Sequence, residues 1–278
     1  MAGGIGSRLY PLSTPERPKQ FLDLLDTGKT LIQMTVDRFL GLAPITNFWV
    51  VTSASYVHFV KEQIPDIPAD HILAEPCARN TAPCIAYACR KIAKKHPDAC
   101  VVVTPADALV TETVKFRAVI AKAIAFADLN EAIVTVGISP TRPDTEYGYI
   151  KATRKYQNRV VPVAAFKEKP DKATAESYLA DGHYFWNAGI FVFAIPTMLR
   201  ELKAYAPQIT GQIDRLEPYL YTPKEQEMLG KLFPLCDKIS IDYAVMERST
   251  LIHTIASHLG WSDLGSFSAI ATAKSALK

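Results

Sequence analysis

Residues 2–8 read Ala2-Gly3-Gly4-Ile5-Gly6-Ser7-Arg8, a glycine-rich stretch of the kind that lets backbone N–H groups approach phosphate oxygens, with Arg8 adding a fixed fork of donors. A glycine cluster alone is equally well a plain turn. The continuation through Arg17-Pro18-Lys19-Gln20-Phe21 brings a second cation, Lys19, back within the same loop. The spacing is not that of G-x-G-x-x-G, because after Gly4-Ile5-Gly6 the pattern would have to continue through Ser7-Arg8 to a glycine where Leu9 stands, and no strand precedes it. Gly28-Lys29-Thr30 has the tail of a P-loop, but Asp23 occupies the place of the first glycine, so Gly28 reads as a turn before a helix starting at Leu31.

Two aspartates stand where a carboxylate can either bind a cation or simply hold a turn. Asp107 follows the apolar run Val101-Val102-Val103-Thr104 by three residues, which puts it beyond the carboxyl end of a strand, where one or two carboxylates can hold Mg²⁺ whose other ligands are water and phosphate. A helix cap or turn aspartate is the alternative reading. Asp263 lies in the tight loop Gly260-Trp261-Ser262-Asp263-Leu264-Gly265-Ser266 and carries the same two readings. In Phe166-Lys167-Glu168-Lys169-Pro170-Asp171 an acid and a base adjoin at a strand end, and continued extension would point them to opposite sides. Trp186-Asn187-Ala188-Gly189 puts an uncharged amide at the start of a strand, beside a glycine that permits close approach. The six histidines show no metal-ligand spacing and read as surface or structural.

The elements that must position these groups alternate. Strand-like runs at 47–52, 72–74, 99–104 and 132–138 are separated by helical patterns at 56–64, 81–96 and around Phe116, Ile120, Ala123 and Ala127. This predicts a mostly parallel sheet with helices on both faces, whose ligands bind beyond the strands' carboxyl ends. The second half is less regular, with strands expected at 149–151, 160–166 and 186–194 and helices at 172–179, 196–205 and 223–232. The chain's 278 residues are 49% hydrophobic and 21% charged, which excludes a disordered or collagen-like chain. A net charge of +3 from 31 basic and 28 acidic residues is too balanced for a nucleic-acid footprint. Five cysteines without C-x-x-C spacing read as reduced thiols, and with no signal-like or membrane-spanning run they predict a cytoplasmic protein that engages no membrane.

Taken together, AGGIGSRLYPLSTPERPKQF (2–21), EPCARNTAP (75–83), TPADA (104–108), TEYGYI (145–150), FKEKPD (166–171), WNAGIFVF (186–193), SIDYAVMER (240–248) and GWSDLGSF (260–267) resemble the sugar-1-phosphate nucleotidyltransferases, and most closely their mannose-1-phosphate guanylyltransferase branch. The resemblance implies a Rossmann-like nucleotide-diphospho-sugar transferase fold of α/β class. It also implies a reaction of GTP with mannose 1-phosphate giving GDP-mannose and pyrophosphate, assisted by Mg²⁺. Arg8 and Lys19 would take the charge of the triphosphate and leaving pyrophosphate, with Ala2, Gly3, Gly4 and Gly6 supplying backbone proximity. Asp107 and Asp263 would hold the metal, and Asp107 would also border the nucleotide. Lys169 would act on the sugar 1-phosphate, while Tyr147, Gly148, Glu168 and Asn187 read the sugar. Glu75 would read guanine through N1–H and the exocyclic amine, with Arg79, Asn80 and Thr81 along the base and ribose.

Some positions depart from that pattern. Ala108 stands where relatives usually carry His after the metal aspartate, and Tyr10, Ala188 and Phe267 replace Trp, Ser and Trp. The loss at Ala108 raises the alternative of a catalytically silent nucleotide-sugar binding protein; transfer with another base or sugar is the alternative within the class. Relatives also have a strand before AGG and, in many cases, a β-structured tail after WSD. The expectation is therefore one domain over 1–278 that lacks its first strand and such a tail, with a partly ordered phosphate loop. A homodimer is compatible with the sequence, which does not specify the oligomeric state.

Overall fold

A computed structural model describes residues 1–153 and 159–277. In chain order the helices are α1 (Leu31–Phe39), α2 (Val57–Gln63), α3 (Thr81–Ala93), α4 (Thr113–Leu129), α5 (Lys172–Asp181), α6 (Ile195–Tyr205), α7 (Pro207–Leu216), α8 (Glu225–Leu232) and α9 (Phe267–Ala276). The strands are β1 (Val50–Ser53), β2 (Ile72–Glu75), β3 (Cys100–Val103), β4 (Leu109–Val110), β5 (Ile133–Ile138), β6 (Tyr149–Ala152), β7 (Val160–Lys167), β8 (Tyr184–Ala194), β9 (Ile252–Ala256) and β10 (Trp261–Ser262). They pack as two compact units: Met1–Glu75 with Pro105–Arg117 and Leu259–Lys278, and Pro76–Thr104 with Ala118–His258.

In the first unit β1 and β2 pair in parallel, joined through α2, and β4 pairs antiparallel with β10. The backbone of Met1 and Ala2 is tied into this unit, since Ala2 N donates to Val51 O at 2.8 Å and Ala106 N to Met1 O at 3.0 Å. Two apolar clusters form its core. Phe21, with its ring stacked on Phe59 at 5.0 Å, joins Ile32, Val36, Val60 and Ile64 in one. Leu9, Leu22, Leu24, Leu25, Leu31, Leu109, Leu264 and Ile270 make the other. Leu9, Leu109 and Leu264 are within two residues of Arg8, Asp107 and Asp263, so burial of the leucines, worth about 1.5–3 kcal/mol each, also fixes the polar groups beside them.

The second unit holds a six-stranded sheet in the order β3-β8-β5-β9-β7-β6. The sheet is mixed: β5 and β9 run parallel, while β3–β8, β5–β8, β6–β7, β6–β8 and β7–β9 are antiparallel. The expectation of a mostly parallel sheet is thereby corrected. It took every intervening helix for a crossover between neighbouring parallel strands, whereas the long β8 inserts between β3 and β5 in the opposite direction. β8 can do so because it has eleven residues: its beginning pairs with β6 and its end with β3. Ile133, Val134, Val136, Phe191, Val192 and Phe193 are fully buried, giving the continuous apolar runs seen in the sequence.

Between β5 and β8 the register steps from Thr135↔Phe191 to Gly137↔Asn187, so Ala188–Ile190 bulge out of the ladder. Gly189 takes φ 68° in this bulge, a backbone conformation that side chains other than glycine's adopt at a cost. All five cysteines are free thiols. Among the described residues no helix is long and apolar enough to cross a membrane.

Candidate active site

In the first unit the glycine-rich stretch turns sharply at Gly6 and enters a single 3₁₀ turn, Ser7–Leu9. Gly6 has φ 60°, and a Cβ there would stand 2.6 Å from Ser13 Oγ and 2.8 Å from Lys19 Cβ. The turn is held from below by side chains: Gln20 Nε2 donates to the carbonyls of Ala2 and Gly4, each at 2.9 Å, Ser13 Oγ to Ile5 O at 2.9 Å, and Thr52 Oγ1 to Ala2 O at 2.8 Å. These bonds occupy backbone carbonyls of the stretch while the exposed Gly3 and Gly4 keep it open to solvent.

Lys19 is buried, and a buried ammonium needs compensation. Its Nζ lies 3.1 Å from Asp107 Oδ2 and donates to the backbone carbonyl of Asp263. Asp263 Oδ2 lies 3.8 Å from Arg8 Nη2, and its Oδ1 accepts from Gly265 N at 3.1 Å. The unit thus brings together Arg8, Lys19, Asp107 and Asp263 from places far apart in the chain. Gly6, Ser7, Arg8, Leu9, Lys19, Asp107 and Gly265 line a cleft of about 260 Å³. Two cations over a glycine turn can bind phosphate, and two carboxylates beside them are hard oxygen donors for a divalent ion. No third His, Cys, Asp or Glu among the described residues joins them in a metal cluster, so this donor set suits an ion that takes its remaining ligands from phosphate and water. Glu75 ends β2 in the same unit, buried, with Oε2 3.4 Å from where a Cβ on Gly3 would stand.

Sequence reasoning missed Arg38, on α1. Its guanidinium is buried and donates from Nη2 to Thr35 Oγ1 at 2.9 Å and to Ala108 O at 2.5 Å, with the Phe116 ring 5.9 Å away. Burial pushes its pKa down to about 10, opposed by the charge of Asp107. Arg38 therefore grips the backbone next to Asp107, and the only signal for it in the sequence is a charged residue on the apolar side of an amphipathic helix.

In the second unit Asn80 caps α3, its Oδ1 accepting from Thr81 N at 2.9 Å, and takes φ 68°. Arg79 donates to Pro234 O, and Thr81 Oγ1 accepts from Ile241 N at 2.8 Å. Arg79 and Thr81 thus tie the start of α3 to the segment 234–241, while Asn80 caps the helix locally.

A second polar cluster in this unit gathers Tyr147, Gly148, Glu168, Lys169 and Asn187. Asn187 N donates to Gly148 O at 2.8 Å, and the Glu168 carboxylate sits where a Cβ on Gly148 would stand. The Tyr147 ring packs edge-on against Trp186 at 5.1 Å. Glu168 and Lys169 do not point apart as extension would require: β7 ends at Lys167, Lys169 turns to φ 44°, and its Nζ comes to 3.9 Å from Glu168 Oε1. Burial first, then the charge of Asp242, push the Glu168 carboxyl up to about 7, with Lys169 opposing. Asp242 is also raised, chiefly by burial, against its hydrogen bonds and the charge of Lys169. Asp242 and Glu247 belong to SIDYAVMER, a motif whose acids had no assigned role; Glu247 Oε1 accepts from Glu168 N at 3.0 Å.

Comparison with known proteins shows which family the chain falls in. The nucleotidyl transferase family matches residues 1–278. A Vibrio cholerae serotype O1 relative is 39% identical over 273 residues, covering 97% of this chain and 58% of its own length. The mannose-1-phosphate guanylyltransferase of Escherichia coli K12 is 37% identical over 285 residues, with the same coverages. The chain thus spans somewhat over half the length of these curated relatives. A solved structure from Thermus thermophilus, described as a mannose-1-phosphate geranyltransferase, superposes with a TM-score of 0.88 at 32% identity, covering 98% of this chain and 77% of that one. The motifs, the fold they build and the full-length match have one common source: the chain belongs to the nucleotidyl transferase family.

Proposed function

We propose that the chain transfers GMP from GTP to mannose 1-phosphate, giving GDP-mannose and pyrophosphate. The observation that carries this reading is the convergence of Lys19, Arg8, Asp107 and Asp263 around the Gly6 turn, in a family whose curated relatives include mannose-1-phosphate guanylyltransferases. Transfer at a phosphate is mostly positioning and charge neutralisation, so no activated Ser, Cys or His is required. The sugar-phosphate oxygen attacks the α-phosphorus, and pyrophosphate leaves from the opposite side.

Arg8 and Lys19 neutralise the triphosphate and the charge that builds on the leaving pyrophosphate. Ala2, Gly3, Gly4 and Gly6 let the backbone lie close to it. Asp107 and Asp263 would hold Mg²⁺, which when bound supplies charge neutralisation on the phosphates. Glu75, buried at the end of β2, accepts from guanine N1–H and the exocyclic amine, and Arg79, Asn80 and Thr81 serve the base and ribose side. Lys169, more than half exposed, takes the sugar 1-phosphate, while Glu168, Asn187 and the Tyr147-Gly148 backbone read hydroxyls.

Pyrophosphate release measured over a panel of nucleoside triphosphates and sugar 1-phosphates tests the reading. GTP with mannose 1-phosphate should be the preferred pair. Preference for UTP or dTTP would remove Glu75 as the guanine reader, and binding without turnover on any pair would overturn the proposal.

A further inference from the structure

The second unit's cluster contains an amide whose hydrogen-bonding capacity is almost fully used. A carboxamide has two acceptor lone pairs and two N–H donors. At Asn187, Oδ1 accepts from Thr135 Oγ1 at 3.1 Å and from Gly189 N at 3.0 Å, and Nδ2 donates to Asp242 Oδ1 at 3.0 Å. Gly189 N can only donate, which fixes the oxygen, and the Asp242 carboxylate accepts, which fixes the nitrogen. The orientation of the amide is therefore set from both ends, and one N–H has no acceptor among the described residues.

The backbone around Asp242 explains how it reaches this place. Asp242–Met246 is a π-helical turn, closed by Glu247 N donating to Asp242 O at 2.9 Å. In an α-helix, residues five apart stand roughly 140° from one another around the axis, whereas an i→i+5 turn brings them nearly one above the other. Asp242 can therefore hold the Asn187 side chain while Glu247 holds the Glu168 N–H. The turn is itself anchored, through Ile241 N to Thr81 Oγ1 and Ala82 N to Ile239 O.

We propose that Asp242 is a positioning residue for sugar recognition: it commits Asn187 to a single outward N–H, so the group that Asn187 meets on the sugar phosphate must be a hydrogen-bond acceptor. The proposal rests on the reading that this cluster takes the sugar 1-phosphate. It gives a specificity role to the SIDYAVMER acid and a chemical direction to the contact.

The test exchanges the two side chains. In Asn187→Asp the two carboxylates oppose each other, and the sugar-phosphate KM should rise by tenfold or more, since about 1.4 kcal/mol is a factor of ten. In the double variant Asn187→Asp with Asp242→Asn the hydrogen bond between the positions re-forms with its direction reversed, while the outward donor stays lost. The melting temperature should therefore return towards wild type while the KM for mannose 1-phosphate stays raised and the KM for GTP is unchanged. A double variant with wild-type sugar-phosphate KM, or one in which both KM values rise together, would overturn the proposal. Calorimetry of the wild-type chain with mannose 1-phosphate separates the two levels: absence of binding overturns the site reading and this proposal with it, whereas binding that survives the exchange overturns this proposal alone. Should Asn187→Asp fail to fold, Asp242→Ala replaces it as the broken-pair control, with the same rise in sugar-phosphate KM expected and no rise counting against the proposal.

Discussion

Between its ordinary value of 4.5 and about 7, the Glu168 carboxyl keeps in the folded chain a proton that the unfolded chain has released. Folded protein then binds more protons than unfolded, so this group's contribution to stability is complete below pH 4.5 and is lost as the pH rises through 7. Glu168→Gln is neutral throughout. It should melt above wild type at pH 8 and lose that advantage as the pH is lowered to 5, as followed by thermal unfolding in a series of buffers. An unchanged difference across that range would show that Asp242, Glu247 and burial do not act on Glu168 as described. Residue types revealed some of the groups in each unit and hid others. Lys19 and Asp107 were legible because they stand in AGGIGSRLYPLSTPERPKQF and TPADA, motifs that resemble the family's, where each alone had a plain structural reading. Arg38 and Asp242 were not, because each acts on a neighbour's backbone or side chain, a relation that exists only after folding.

At the scale of elements, the aim of Asn187 depends on the bulge in β8. The register step that displaces Ala188–Ile190 lets Asn187 Oδ1 accept from Thr135 Oγ1 on one side and from Gly189 N on the other. Gly189→Ala should destabilise the chain by about 1–2 kcal/mol, the cost of a left-handed side-chain-bearing residue. It should also raise the sugar-phosphate KM by moving the amide; urea unfolding with parallel kinetics measures both. β3, β5 and α3 were readable from hydrophobic spacing, and a helix was expected where α5 stands. α7, β9 and the π turn at 242–246 were not, and neither was the direction of β8. Periodicity reports which side of a segment is buried, whereas direction in a sheet depends on which partner the segment meets.

Over the whole molecule the near balance of charge is repeated around the cleft at the Gly6 turn. Two cations, Arg8 and Lys19, already stand against two carboxylates, Asp263 and Asp107. A bare triphosphate would have to pull the cations from these partners, and a bare divalent ion would have to pull the carboxylates away. Arriving together, each satisfies what the other displaces. Melting temperatures with GTP alone, with Mg²⁺ alone and with both should therefore show a combined rise larger than the sum of the separate ones; a ligand at 100 times its Kd contributes about 2.7 kcal/mol. Simple additivity would count against the paired exchange.

The pairings in the second unit have one more consequence. β6 bonds to both β7 and β8, so β8, β5, β9, β7 and β6 each have a strand on either side, and the sequence of partners returns to its start. A strand with an unpaired edge is a template on which another chain can add and aggregate. These five offer little of that template, so the buried Val, Ile and Phe of β5, β7, β8 and β9 are kept out of reach of intermolecular β-pairing while the folded state lasts.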